Sequence, residues 1–354
     1  MMHKNLAVNV LTWNDWENTI ICLESIYQSN YDNFDIILID NNSDKSHLEK
    51  IYDWSKNNIQ VEDEEFKFNQ HKKIDIIEVD KNFKISTPGE KKIYLIKNKT
   101  NVGLTAGLNI GYKFSVNQNY DYIARIDCDF IITKNYLKGM VDTFENQKNI
   151  VAASPKIKHA YLRHTVWWAG MKLSWSYLKF QRTMNLKKKR IIDNESFKGL
   201  IDTDAICGCC SFYRPKFLEL SGYGDEEFFL GPEDTELSQR LKKYGKLIVN
   251  LDLYTLHKIS TSSEISGWFK RSYNETIGFL LLIKKIGSFW DKLIGYPYFV
   301  LRMPYFLILL FLKKREKERV FGFCLGCIDF FKKKYLVNCA ARETRTPTPE
   351  GARS

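Results

Sequence analysis

Two acidic residues, Asp127 and Asp129, follow an apolar run that begins at Tyr120. Side chains alternate across a strand, so carboxylates at positions i and i+2 are expected to project from one face as the strand leaves its sheet. Divalent cations such as Mg²⁺ prefer oxygen ligands, and such a pair could dock a cation together with the phosphates of a ligand. The alternative is a solvated strand end, and the surrounding motifs must decide between the two.

Apolar runs that stop at polar turn residues indicate which elements carry these side chains. Residues 6–14 and 34–44 each have this form, and the helical pattern between them, at 16–29, predicts two buried parallel strands joined by a crossover. Ligands of such α/β sheets bind beyond the carboxyl ends of the strands. The polar residues expected at those ends are Thr12, Asn14, Asp40, Asn41, Asn42, Ser43, Asp127 and Asp129.

A glycine-rich segment follows the strand predicted at 92–96. Gly103, Gly107 and Gly111 are spaced by four, so on a helix they would form one stripe that packs closely against the sheet or a ligand. Packing and ligand contact stay open for the glycines. Asn101 stands at the mouth of the loop, where a role in binding is favoured.

An acidic pair, Glu233 and Asp234, falls in the first turn of a helix predicted between Pro232 and Gly245. The positive end of the helix dipole favours an ionised carboxylate there, as a general base requires. Acidic residues also begin helices for purely structural reasons. Beyond the next strand, predicted at 247–251, His257 is expected in a loop, where a neutral imidazole could complete a carboxylate metal site.

Seven short motifs, in this order and spacing, closely resemble those of the family 2 glycosyltransferases, and most closely the rhamnosyltransferase-like members that build bacterial surface polysaccharides. The resemblance covers roughly residues 5–265 and departs from the family at Trp13, where Tyr is usual. The motifs are Thr12-Trp-Asn14, Asp40-Asn-Asn-Ser-x-Asp44, Asn101-x-Gly-x-x-x-Gly-x-Asn109, Asp127-x-Asp129, Gly222-Tyr-Gly-Asp-Glu-Glu-Phe-Phe229, Glu233-Asp234 and His257-x-x-Ser260.

The resemblance implies an α/β GT-A fold, a mixed sheet flanked by helices, and single-step inverting transfer from a nucleotide-diphospho-sugar to a hydroxyl of a lipid-linked or polysaccharide acceptor. It implies a nucleotide-sugar site in which Asp40 binds the base and Asp127 lies on the ribose or metal side. Asp129, helped by His257, would hold Mg²⁺ or Mn²⁺, and Asp234 would be the catalytic base with Glu233 beside it. The remaining residues of the nucleotide-sugar site would be Thr12, Asn14, Asn42, Asn101 and Gly103.

The basic charge of the chain, +11 over 354 residues, is concentrated near its end. Residues 265–338 contain 14 Lys and Arg against 5 Asp and Glu, interleaved with the apolar runs 276–283 and 296–312. The longer run has 17 residues with Arg302 and two prolines inside, whereas a spanning helix needs about 20 apolar residues. We therefore expect helices lying in a membrane interface, attracted by anionic lipid. A re-entrant hairpin, or helices covering the catalytic core in a homodimer, are the alternatives, and nucleic acid is disfavoured.

Three regions follow from these patterns: a catalytic domain at 1–265, a basic and apolar helical region at 266–338, and a disordered or vector-derived tail at 339–354. No signal peptide is apparent, so we expect a cytoplasmic enzyme, peripheral on the inner face of the membrane, with reduced cysteines. A charged insertion at 60–90 is expected to hold an extra strand at 74–79; its function is not indicated.

Two other functional classes stay open. A sugar nucleotidyltransferase also uses paired carboxylates, but it normally has a Gly-rich, basic phosphate loop after the first strand, which residues 12–16 do not offer. A non-catalytic sugar-nucleotide-binding scaffold of a membrane assembly would not need Asp234. The sequence does not specify the donor sugar, its base, the acceptor or the linkage.

Overall fold

The computed structural model describes residues 4–63, 73–80, 82–162, 164–173, 180–182, 191–194, 197–229, 231–258, 267–312 and 317–333. The chain forms two compact units. The first comprises Met1–Asn101, Ala106–Asp225 and Asp234–Ser260, and the second comprises Val102–Thr105, Glu226–Glu233 and Thr261–Ser354. Two short segments from the middle of the chain thus group with its C-terminal region.

The first half of the chain alternates strands and helices. Its elements are β1 (Leu6–Thr12), α1 (Trp16–Tyr27), β2 (Phe34–Asp40), α2 (Lys45–Ser55), β3 (Ile76–Glu78), β4 (Ile93–Lys97), α3 (Leu104–Asn117), β5 (Tyr122–Ile126), β6 (Phe130–Ile132) and α4 (Tyr136–Asn146).

Short strands dominate the second half until three helices end it. The elements are β7 (Ile150–His159), β8 (Thr165–Trp168), β9 (Met171–Leu173), β10 (Phe180–Arg182), β11 (Ile191–Ile192), β12 (Leu200–Asp202), β13 (Cys210–Tyr213), α5 (Pro215–Leu220), α6 (Glu233–Leu241), β14 (Lys246–His257), α7 (Gly267–Ile286), α8 (Phe289–Leu312) and α9 (Lys317–Phe331).

Parallel strands form one half of a mixed sheet. β1 lies between β2 and β5, and β4 extends the sheet beyond β2, with β3 at the edge. All seven residues of β2 are buried, as expected for a strand covered on both faces. The register pairs Thr12 with Asp40, so the carboxyl ends of β1 and β2 meet at the same edge. The predicted parallel strands, and the extra strand within the 60–90 insertion, are confirmed.

Antiparallel strands complete the sheet. β13 pairs with β5 and β7, which brings the chain after Cys210 next to the strand that precedes Asp127. β14 runs parallel to β7 and then pairs antiparallel with β6, opposing His257 to Phe130. The sheet therefore delivers two distant segments to the ends of β5 and β6.

The glycines of α3 serve close packing. A Cβ built on Gly107 would lie 2.8 Å from Leu11 Cδ1, and one built on Gly111 would lie 2.7 Å from Ile39 Cδ1. Both glycines thus let α3 approach the sheet, which favours the packing alternative. Gly103 lies before the helix in a left-handed conformation (φ 85°), so the predicted three-glycine helical stripe is wrong for its first member.

Two local predictions near the acidic motifs are also wrong. Asp127 and Asp129 occupy a tight turn, in which the Phe130 amide donates to the Asp127 carbonyl at 3.0 Å. The β5 strand ends at Ile126, so strand alternation does not place the two carboxylates on one face. His257 is the last residue of a 12-residue strand, β14, where a short strand and a loop were predicted.

The second unit contains α7, α8 and α9. α7 and α9 approach closely because Gly322 faces the backbone of Phe269 and Gly326 faces Thr276, while the Tyr273 hydroxyl donates to Asp329 at 2.8 Å. None of the described helices is long and apolar enough to cross a membrane. Ser260 and the predicted tail at 339–354 lie outside the described residues, as does much of the 60–90 insertion.

Candidate active site

The carboxyl end of β1 is fixed by a buried chain of hydrogen bonds. The Thr19 hydroxyl donates to the Asp15 carbonyl at 2.6 Å, so in its 2.6 Å contact with the Thr12 hydroxyl it must accept. The Thr12 hydroxyl therefore donates to Thr19 and accepts from His47 Nε2 at 3.0 Å. Thr12 is 1% exposed. Its side chain is buried in this hydrogen-bond chain and supports the sheet edge, whereas the motif resemblance predicts that Thr12 lines the nucleotide-sugar pocket.

His47, in α2, is the partner that sequence reasoning missed. The direction of the chain assigns its proton to Nε2, which leaves Nδ1 as an acceptor, and Nδ1 is buried with no hydrogen-bond partner among the described residues. Burial lowers the pKa of His47, although Asp40, Asp15 and Asp44 act in the opposite direction. The imidazole is thus held neutral beneath the end of the first two strands.

The predicted base-binding residues meet at the loop after β2, where Asp40 is 3% exposed and Asn14 and Asn42 lie at the surface. The Asp40 carboxylate accepts from the Ser43 amide at 3.1 Å, and the Ser43 hydroxyl accepts from the Asn14 amide at 3.0 Å. Asn14 and Asn42 both have left-handed backbones, with φ of 51° and 67°. Asparagine tolerates this conformation well, and both side chains are exposed at the rim. The structure brings Asn14, Asp40 and Asn42 together.

Asn101 joins the same rim through an amide network. Asn41 donates to the Asn101 side-chain carbonyl at 2.9 Å and accepts from Asn98 at 3.0 Å. Gly103 belongs to the second unit, where a built Cβ would lie 2.7 Å from the Phe229 ring. Only glycine fits there, because the positive φ and the ring both exclude a side chain.

Asp127 is bound by a buried arginine. Arg125 Nε lies 2.8 Å from one carboxylate oxygen and its terminal nitrogen 3.1 Å from the other. Burial raises the pKa of Asp127, and Arg125 opposes that shift. Arg125 was the missed signal here, since a cation inside the apolar run 120–126 needs a partner. Both oxygens of Asp127 are engaged in this pair.

Asp129 contacts His257. Its carboxylate lies 3.2 Å from His257 Nε2, and the two side chains are 21% and 13% exposed. Phe130 stacks on the imidazole at 4.5 Å and Trp167 meets it edge-on at 4.6 Å. The sheet thus brings together the two predicted metal ligands, which are 128 residues apart. The described residues contain no group of three or more His, Cys, Asp or Glu that could hold a metal ion.

Asp234 is held at the start of α6. The Gly208 amide donates to one carboxylate oxygen at 3.0 Å, and the Thr235 amide donates to the other at 2.6 Å. A Cβ built on Gly208 would lie 2.8 Å from a terminal nitrogen of Arg125 and 3.3 Å from Asp234 Oδ2. The guanidinium therefore lies within about 6 Å of Asp234 as well as against Asp127. Glu233 is buried and belongs to the second unit.

The architecture is that of the GT-A glycosyltransferases, a large mixed sheet flanked by helices. A crystal structure of GalNAc-T7 with UDP, GalNAc and Mn²⁺ superposes with a TM-score of 0.56 at 16% identity, covering 85% of this chain and 51% of that one. The chain thus spans about half the length of GalNAc-T7. The mannosyltransferase PcManGT from Pyrobaculum calidifontis, solved with GDP-Man and Mn²⁺, gives a TM-score of 0.53 at 10% identity, covering 94% of this chain and 89% of that one.

A family model adds sequence support. Residues 68–219 match the model described as glycosyl transferase family 2. No curated protein matches the chain. The matched residues cover less than half of the chain, and the match agrees with the fold that the solved structures share.

Proposed function

We propose that the protein transfers a sugar from a nucleotide-diphospho-sugar to a hydroxyl of a glycan or lipid-linked acceptor, with inversion at the anomeric carbon. One observation carries the proposal: Asp129, in the turn between β5 and β6, and Asp234, at the start of α6, lie in different environments. Asp129 meets His257 at a partly exposed position, whereas Asp234 is held at a helix start by backbone amides. A ligand-binding carboxylate and a general base require these two environments.

The Asp129 and His257 pair fits a divalent cation, Mg²⁺ or Mn²⁺. One oxygen and one nitrogen donor converge within 3.2 Å, and Mg²⁺ ordinarily completes its shell with phosphate oxygens and water. When bound, such a cation supplies positive charge that stabilises the departing diphosphate. Asp127 is not counted as a ligand, because Arg125 occupies both of its oxygens. We assign Asp127 to the ribose side of the site.

The remaining site residues are assigned to binding of the donor or to activation of the acceptor. Asp40, Asn14 and Asn42 are proposed to receive the nucleobase at the rim, with Asn101 behind them. The acceptor hydroxyl loses its proton to Asp234 as its oxygen bonds the anomeric carbon, and the bond from that carbon to the diphosphate oxygen breaks with its electron pair. Glu233 is proposed to support Asp234 from the preceding position.

Asp234→Asn tests the assignment of the base. The amide oxygen of Asn can still accept from one of the two backbone amides, Gly208 or Thr235, so the fold and donor binding are expected to persist, while turnover falls by about 10²–10⁴-fold. Asp202→Asn is the control, because that carboxylate is 67% exposed and meets only Lys246 at 3.8 Å among the salt bridges of the described residues. Equal turnover in the two variants would contradict the role of Asp234.

The assay is nucleoside diphosphate release with Mn²⁺, a panel of sugar nucleotides and a lipid acceptor. The panel begins with thymidine- and uridine-diphosphate sugars, rhamnose included, because the motifs resemble those of rhamnosyltransferase-like members. Donor binding is measured by thermal shift, since ligand at 100 times its Kd adds about 2.7 kcal/mol of stability. Pyrophosphate release would indicate a nucleotidyltransferase, and donor binding without release would indicate a scaffold.

We extend the proposal to location. The basic and apolar composition of residues 265–338 supports a peripheral enzyme on the cytoplasmic face of the membrane, within surface-glycan synthesis.

A further inference from the structure

The first half of α8 exposes a row of large apolar side chains. Their exposed fractions are 47–74%, well above those of core residues. At 100° per residue they fall within an arc of about 140° on one side of the helix. The residues of this α8 face are Phe289, Trp290, Leu293, Ile294, Val300 and Leu301.

The opposite side of α8 packs within its own unit. On that side, a Cβ built on Gly295 would lie 3.0 Å from Ile283 Cδ1 of α7. At the edge of the α8 face, the Tyr296 ring lies 6.1 Å from Phe330 of α9. Gly295 is on the side of the helix opposite the centre of the α8 face. The helix is therefore already anchored through Gly295, and the α8 face is left outward. Contiguous exposed apolar surface of this kind marks an interaction site.

Cations border the α8 face. Lys284 and Lys285 precede it, exposed and paired with Glu227 at 3.3 and 3.1 Å. Lys332 and Lys333 are exposed at the end of α9, directly after Phe331, whose ring lies 6.0 Å from that of Tyr296. Positive charge thus lies before the α8 face along the chain and beside its middle, near Tyr296.

We infer that the α8 face docks on an anionic lipid surface, with its aromatic and aliphatic side chains in the acyl boundary and the flanking lysines among the headgroups. Aromatic and aliphatic residues on one face with lysines at its margin match an interfacial helix. A second copy of the chain explains the pattern less well, because lysine is depleted in protein–protein interfaces.

This inference specifies the surface responsible for the proposed peripheral location. Its test measures lipid binding and requires no donor, acceptor or metal. A failure of the proposed transferase activity and a failure of lipid docking are therefore distinguishable.

The experiment is flotation of the full chain with vesicles of phosphatidylcholine, with and without about 30 mol% of the anionic lipid phosphatidylglycerol. We expect binding to the anionic vesicles. Phe289→Ser with Trp290→Ser should weaken that binding by on the order of 10-fold or more, because both apolar rings are lost. Lys332→Gln with Lys333→Gln should weaken it by about 5-fold per cation and only on anionic vesicles.

The matched control is Tyr161→Ser with Leu162→Ser, a neighbouring pair in the first unit with exposed fractions of 54% and 46%. It should bind like the unaltered chain. Brominated lipid should quench part of the tryptophan fluorescence of the chain. The part that is lost in Trp290→Phe reports the insertion of Trp290. Equal losses in the two serine pairs, or equal binding to neutral and anionic vesicles, would overturn the inference. A dimer in sedimentation that Phe289→Ser with Trp290→Ser abolishes would instead assign the face to a second copy.

Discussion

Gly278 of α7 fixes the segment that leads to the proposed catalytic base. A Cβ built on Gly278 would fall well inside van der Waals distance of the Gly231 carbonyl oxygen and 2.7 Å from Pro232 Cδ. All three residues belong to the second unit, and Asp234 follows Pro232 by two positions. We therefore predict that Gly278→Ala displaces the segment before Asp234 and lowers turnover.

The magnitude follows from the contact distance. Non-bonded carbons ordinarily approach to about 3.5–4.0 Å, so relief of the Pro232 contact requires a shift of roughly 1 Å. A misplacement of that size can reduce rate by about 100-fold, and we expect kcat to fall by about 10–100-fold. Overpacking costs about 1–3 kcal/mol, whereas Ala in a helix interior gains about 1 kcal/mol over Gly. The net loss of stability should therefore be small, between about 0 and 2 kcal/mol.

Gly295→Ala is the matched control, since it makes the same change inside another helix of the same unit. Its nearest neighbour is the end of a flexible side chain, Ile283 Cδ1 at 3.0 Å, which can move. The assay compares kcat from nucleoside diphosphate release at saturating donor, Tm, and donor Kd for the two variants. Full kcat in Gly278→Ala, with a Tm equal to that of Gly295→Ala, would refute the reasoning, because the clash would then have been absorbed without moving the segment.

Three further outcomes are expected. Asp129→Asn should weaken activation by Mn²⁺ by at least 10-fold, seen as a shifted metal titration at constant donor; an unchanged titration would exclude Asp129 as a ligand. Gly208→Ala should lower kcat while leaving donor KM nearly unchanged, because the new Cβ lies 2.9 Å from Asp234 Cβ; a raised KM alone would contradict this. Burial lowers the pKa of His47, so the unfolded chain takes up a proton at this residue first as pH falls below about 6.5, and the folded protein should lose stability there. Chemical denaturation at stepped pH should show a smaller loss of stability in His47→Asn. An identical pH profile in the two proteins would disprove this prediction.

The parallel half of the fold was predictable from sequence because each strand carries its own signal. An apolar run that stops at a polar turn, as at Asp40, predicts both the strand and the edge at which it ends. The same logic failed at Asp127 and Asp129, since the chain turns immediately after Ile126. A tight turn of three polar or small residues leaves no hydrophobic period to detect.

The partners of the site residues were less predictable, because they depend on non-local pairing. His257 meets Asp129 only because β14 pairs antiparallel with β6, a contact between strands over a hundred residues apart. Gly208 reaches Asp234 because β13 lies beside β5, and nothing in the Cys207–Cys210 sequence announces an amide donor. His47 gave no signal either, since one histidine in an amphipathic helix has no period of its own.

Arg125 gives the neighbouring carboxylates Asp127 and Asp129 different surroundings. A buried carboxylate near a second negative charge tends to take up a proton, and burial does raise the pKa of Asp127. The bidentate guanidinium opposes this shift and binds both oxygens of Asp127, which removes that side chain from competition for a cation. Asp129, two residues further on, meets His257 instead. The same guanidinium lies within about 6 Å of Asp234, the proposed base. Under the proposed function, an arginine inside an apolar strand would thus help to assign cation binding to Asp129 and proton removal to Asp234.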